Sequence, residues 1–149
     1  MADGALPMLA DDIVEMIDEL SEQGNEAEGE GDLDAALTAW EEALALIPEP
    51  RNAYVESVWL QASIGDVYFQ RGDYPDAMEF FEDAMGNLSG EGVSNPFVLL
   101  RLGQCCLETR DEKRAAELLL RAYMLEGDAI FEEEDERYYD FLRAHADIE

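Results

Sequence analysis

Two stretches of this chain are near copies of one another: residues 31–44, GDLDAALTAWEEAL, and residues 72–85, GDYPDAMEFFEDAM. Aligned, Gly31 meets Gly72, Leu33 meets Tyr74, Ala36 meets Ala77, Trp40 meets Phe81 and Ala43 meets Ala84. Ala77 and Ala84 are seven residues apart, so they return to one helical face after two turns, with the bulky Phe81 between them. That face can press closely against a neighbouring helix. Upstream of each block lies a second amphipathic segment with a small residue where two helices would cross, Gly24 three before Ala27 and Gly65 three before Tyr68. Each unit is therefore predicted to be a helical hairpin.

A third, more worn copy runs over residues 102–123, where Gly103 takes the role of Gly65, Cys106 of Tyr68, Ala115 of Ala77, Leu119 of Phe81 and Ala122 of Ala84. The chain thus resembles the tetratricopeptide repeat, whose Leu-Gly, aromatic, Ala-x3-Phe and Pro pattern is met by Leu102-Gly103, by Gly65 with Tyr68, by Ala36 with Trp40 and by Pro48. The resemblance covers residues 9–127 and implies an all-α fold, a superhelical stack of three antiparallel helix pairs (9–48, 51–89, 95–127) with a C-terminal capping helix (128–149). Some positions depart from the pattern. The period is 41 residues from Gly31 to Gly72 and 38 from Gly72 to Arg110, longer than the family's roughly 34, and Ser89 and Gly127 stand where closing prolines would be.

At 149 residues and 48% hydrophobic content, one domain with a sizeable core is expected. No apolar run reaches the roughly 18 residues of a membrane span. The start MADGALPMLADD lacks the basic region of a secretory leader, and the adjacent Cys105 and Cys106 suit a reducing compartment, so a cytoplasmic location is expected.

Charge is unevenly spread. Against 37 acidic residues stand 9 basic ones, a net of −28, and residues 1–50 hold 15 Asp or Glu with no Lys or Arg. Such a field repels nucleic acid and anionic membranes and draws basic partners. Recognition and simple solvation both remain open as its purpose.

Helical periodicity places helices over 9–28, 32–46, 51–70, 75–88, 96–108 and 111–126, with residues 89–95 as the longest loop and a closing element from Asp128 built on Ile130, Phe131, Tyr138, Tyr139, Phe141 and Leu142. Chemistry is sparse. The one histidine, His145, near the C-terminus, reads as a surface residue; Cys105 and Cys106 read as buried structural thiols; and Glu132–Glu136, EEEDE, lacks the spacing of an EF-hand and reads as a solvated helix face or a patch for a basic partner. No catalytic, cofactor or metal residues are assigned, and no small-molecule substrate is expected.

In repeats of this kind the concave surface is lined by the first helix of each unit. Projected onto this chain, it carries Asp18, Glu22 and Asn25, then Trp59, Ala62, Asp66 and Phe69, then Phe97, Arg101, Gln104 and Glu108. For Trp59, Phe69 and Phe97 core packing is the competing role; exposed together they would form an anchor ringed by carboxylates. A carboxylate clamp for acidic C-termini needs Lys, Asn and Arg here, and only Asn25 and Arg101 could match, with Ser21, Ser63 and Phe97 at the other places.

The last third, through Leu102-Gly103-Gln104, Arg114-Ala115-Ala116, residues 120–124 (LRAYM), Ile130-Phe131-Glu132, Glu134-Asp135, Tyr139 and Phe141-Leu142, resembles small bacterial repeat proteins encoded beside polymorphic, Rhs-type toxins. That resemblance implies an immunity protein, a non-enzymatic inhibitor that occludes a basic secreted toxin domain by shape and charge. Two rivals are a repeat-type secretion chaperone and a scaffold subunit of a larger assembly.

Overall fold

The computed structural model describes residues 6–146. Residues 1–5, part of the stretch read for a leader, and residues 147–149, the end of the expected closing segment, lie outside the described residues. Seven α-helices are found among the described residues: α1 Asp11–Gly29, α2 Leu33–Ala45, α3 Glu56–Gln70, α4 Tyr74–Met85, α5 Pro96–Glu108, α6 Glu112–Glu126 and α7 Glu136–His145, with 3-10 turns at Arg51–Ala53 and Gly127–Phe131. Helices pack chiefly within the pairs α1/α2, α3/α4 and α5/α6, and each pair then packs on the next through α2 with α3 and α4 with α5.

The turn inside each pair is one device used three times. Backbone N–H groups of Asp32, Asp73 and Asp111 reach back to the carbonyls of Ala27, Tyr68 and Cys106 at 2.8–2.9 Å, closing the first helix of each pair. The residue just before must take a positive φ: Gly31 at 80°, Gly72 at 79° and Arg110 at 70°. Glycine adopts this at no steric cost, whereas Arg110 holds a left-handed conformation that costs a side-chain-bearing residue about 1 kcal/mol. The aspartates then start the second helices; Asp32 accepts from the Ala35 amide and Asp111 from that of Arg114.

Each crossing pairs a glycine with a bulky side chain. A Cβ on Gly65 would sit 3.0 Å from the Phe81 ring, one on Gly103 2.9 Å from Leu119, and one on Gly24 inside the indole of Trp40. The flanking alanines Ala36, Ala43, Ala77, Ala84, Ala115 and Ala122 are all fully buried. The spacing in the sequence is therefore the spacing of the contact. Burying a ring such as Phe81 contributes about 1.5–3 kcal/mol through removal of apolar surface from water. The core forms two clusters that meet at α3: Ile17, Trp40, Leu60 and Ile64 in one, Phe81, Leu99, Leu102, Leu119 and Leu142 in the other.

Three expectations are corrected. The third helix starts at Glu56, not Arg51, because the carbonyls ahead of it serve other partners: Ser57 Oγ donates to Arg51, Asn87 Nδ2 to Tyr54 and the Leu88 amide to Asn52, each at 2.8 Å. Tyr54 is extended as a result. The same contacts end α4 at Met85, three residues before the expected Leu88. The closing segment is not one helix: a 3-10 turn and a non-helical stretch precede α7, and within it Glu134 is held in an ion pair instead of lying on a solvated helix face.

Candidate functional site

The first helices of the pairs stand side by side in the order α1, α3, α5. Arg101 of α5 pairs with Asp66 of α3, and Glu28 of α1 feels the charge of Asp66 and a hydrogen bond from Gln70. The crossing glycines fix a common register across them. Six residues before each glycine stand Asp18, Trp59 and Phe97; two before, Glu22, Ser63 and Arg101; one after, Asn25, Asp66 and Gln104. One stripe of each helix therefore contributes to one inner face.

That face has two unlike halves. On α1 and α3 it is open and anionic. Asp18 and Glu22 are exposed, and Trp59 is 45% exposed with its ring set edge-on against Trp40 at 6.2 Å between centroids. The carboxyl of Glu28 is raised above the ordinary range by burial and by the charge of Asp66, with the bond from Gln70 acting in the opposite sense. Asp66 is already paired with Arg101, so the charge left open to an incoming cation on this half is that of Asp18, Glu22 and Glu28.

On α5 the face is closed by the chain itself. The guanidinium of Arg101 lies between the rings of Phe69 and Phe97, at 4.5 and 4.9 Å from their centroids, and donates from Nε to Asp66 at 2.8 Å and from an Nη to Glu134 at 2.5 Å and to Gln104 at 2.8 Å. Gln104 Nε2 also donates to Glu134 at 2.8 Å. The side chains of Arg101, Asp66 and Glu134 are 13–15% exposed. Burial alone would lower the Arg101 pKa; the two carboxylates outweigh it and hold it above its ordinary value. Beyond it, Glu108 accepts from the Tyr138 hydroxyl at 2.7 Å and pairs with Arg137.

Of the expected contact residues, Asp18, Glu22 and Trp59 are exposed. Asp66, Phe69, Phe97 and Arg101 are partly exposed and bound into the network. Gln104 and Ala62 are corrections. Both are buried, Gln104 because its amide bridges Arg101 and Glu134, Ala62 because it turns into the core beside Phe81. Glu108 is likewise engaged internally by Arg137 and Tyr138. Sequence reading missed Glu134, Arg137 and Tyr138 as parts of this face. The available signal was Arg101 itself, a lone cation on a predicted acidic surface that had to find carboxylate partners.

No group of three or more His, Cys, Asp or Glu among the described residues is arranged to hold a metal ion, and no helix among them is long and apolar enough to cross a membrane. His145 lies on the surface, its ring stacked on Phe141 at 4.1 Å. Cys105 and Cys106 are free and fully buried; desolvation pushes their thiols up to about 12 and about 11. A pKa raised in the folded state gives a contribution to stability that is complete below the unfolded-state value and is lost as pH climbs through about 11 to 12. The native protein is accordingly expected to resist iodoacetamide at mildly alkaline pH and to consume two equivalents once unfolded in guanidinium; fast labelling of the folded protein by mass spectrometry would contradict the burial.

The tetratricopeptide repeat family matches residues 21–91. No curated protein is similar to the chain by sequence. Among solved structures, the chain is similar to the Arabidopsis OM64 TPR domain (18% identity, 90% of this chain and 99% of that one, TM-score 0.68). It is also similar to the N-terminal domain of stress-induced protein-1 from C. elegans (15%, 91% and 98%, TM-score 0.63) and to the first TPR of Spaghetti (RPAP3) bound to the HSP90 peptide SRMEEVD (18%, 87% and 92%, TM-score 0.64). At these identities the likeness is one of fold. The chain has the tetratricopeptide-repeat fold and carries the repeat signature in its first two helix pairs.

Proposed function

We propose that this chain is a non-enzymatic protein-binding module that recognises a basic protein, and that it serves as an immunity protein in the cytoplasm, neutralising a cognate secreted toxin domain by steric and electrostatic occlusion. The observation that carries the binding reading is the open half of the inner face, where Trp59 of α3 is half-exposed and Asp18 and Glu22 of α1 are exposed, in a chain whose first 50 residues contain no Lys or Arg. An exposed indole and exposed carboxylates on the first two helix pairs suit a partner that brings an apolar anchor and positive charge together.

The contrast with a structural relative sharpens the partner's sign. The peptide SRMEEVD bound by the Spaghetti repeat is acidic at its end. Here the one cation of the inner stripe, Arg101, is already paired with Asp66 and Glu134, so an acidic tail would meet only like charge. Titration calorimetry with that heptapeptide is expected to give no heat of binding.

The toxin reading rests on the resemblance of residues 95–142 to repeat proteins encoded beside toxins, and on physics: an inhibitor of a catalytic toxin gains from fast association, which opposite fields supply. Co-expression of the chain with a candidate cognate toxin domain is expected to restore growth. The association rate of the purified pair is expected to fall by about 10- to 1,000-fold from low to high salt. Growth unaffected by co-expression would remove the immunity role, and a salt-independent rate would remove the steering.

A further inference from the structure

The third unit of the inner face is covered by residues that come about thirty positions later in the chain. The 3-10 turn Gly127–Phe131 leans on α5 across a cleft of about 450 Å³ lined by Pro96, Phe97, Leu100, Arg101 and Ile130. Its fixed end is Phe131, buried and stacked on Tyr139 at 5.1 Å. The stretch that follows ends at Asp135, which caps α7 by accepting from the Arg137 amide. Between them run three glutamates, and the inward hold on that run is Glu134, bonded to Arg101 and Gln104.

This hold is unlike the rest of the packing. Helix pairs are locked by apolar contacts, but Glu132, Glu133, Glu134 and Asp135 are consecutive acids in a protein of net charge −28, and Glu134 shares Arg101 with Asp66. They repel one another; Arg101, with Gln104, holds Glu134 inward, while Arg137 pairs with Asp135 at the far end of the run. A cationic partner would neutralise that repulsion and compete with Arg101 for Glu134, while Arg101 keeps Asp66.

We infer that residues 127–135 are an autoinhibitory strap latched by Glu134 on Arg101, and that a cationic amphipathic partner displaces the latch to reach the apolar surface beneath it, Phe97 and Leu100, as an extension of the open Trp59 half. The inference rests on the proposed binding of basic partners and adds its regulation.

The test exploits opposite signs. Glu134→Gln removes the latch yet leaves the neutral Arg101–Asp66 pair, so the fold is kept, as circular dichroism and thermal melting would verify. Glu133 is exposed, so Glu133→Gln removes the same charge from the same segment without touching the latch. The probe is a synthetic amphipathic peptide of lysine and leucine, titrated calorimetrically into the full chain. Charge alone makes both variants bind it more weakly. Latch release makes Glu134→Gln bind more tightly than wild type while Glu133→Gln binds more weakly, and speeds amide exchange over residues 127–135. If both variants weaken alike, or neither changes, the strap is refuted and the basic-partner reading stands. If neither wild type nor variant binds the peptide, that reading falls and the strap with it.

Discussion

Replacing Arg101 with leucine is expected to lower the unfolding free energy by about 3–5 kcal/mol, the range for removing one partner of a buried ion pair. The reason is what remains. Asp66 and Glu134, each about one-seventh exposed, would face each other across the space between Phe69 and Phe97 with no cation to compensate them. At roughly 2–4 °C per kcal/mol for a chain of this size, the melting temperature should drop by about 10 °C. Neutralising the survivors as well, in Arg101→Leu/Asp66→Asn/Glu134→Gln, should return most of the loss, because a cluster without charge has nothing to strand. If Arg101→Leu alone melts within a degree or two of wild type, the network is solvated and the closed half of the inner face is misdescribed.

The second large effect belongs to the helix crossing in the middle pair. Phe81→Ala is expected to cost about 3–5 kcal/mol, the range for a buried aromatic emptied in a core that cannot fully collapse. Phe81 is fully buried, edge-on to Phe97 at 6.3 Å, and fills the notch left by Gly65. The notch makes the prediction specific. In the parent, Gly65→Ala is expected to destabilise, since its Cβ would lie 3.0 Å from the ring tip and 3.2 Å from Phe80 Cβ. In the Phe81→Ala background the ring is gone, and alanine's better helix propensity, about 1 kcal/mol over glycine, should turn the same substitution neutral or stabilising. Denaturant titration of the four proteins should thus give a coupling of about 1–3 kcal/mol. Simple additivity would mean that Gly65 is small for another reason.

Particular residues show how far the sequence could be read. Gly24, Gly65 and Gly103, with Trp40, Phe81 and Leu119, announce three crossings because a helix pair is a local object: its partners lie within about twenty positions, and helical period fixes which of them meet. The same register is the basis for expecting Asp18, Trp59 and Arg101 on one inner stripe. It failed where a contact depends on distant chain. Arg51–Val55 reads as helix until Asn87 and Leu88 arrive to claim its carbonyls, and residues 132–136 read as a solvated face until Arg101 is found beside Glu134.

What the sequence determined by itself is the all-α repeat architecture, the three helical hairpins and the acidic cast of the first pair, since each follows from residues close together in the chain or from composition. What only the tertiary structure decided is which part of the inner face is open. Carboxylates are abundant here and a guanidinium on the inner stripe is rare, so pattern could not say which acid Arg101 would take; the path of the chain after α6 selects Glu134 over its neighbours.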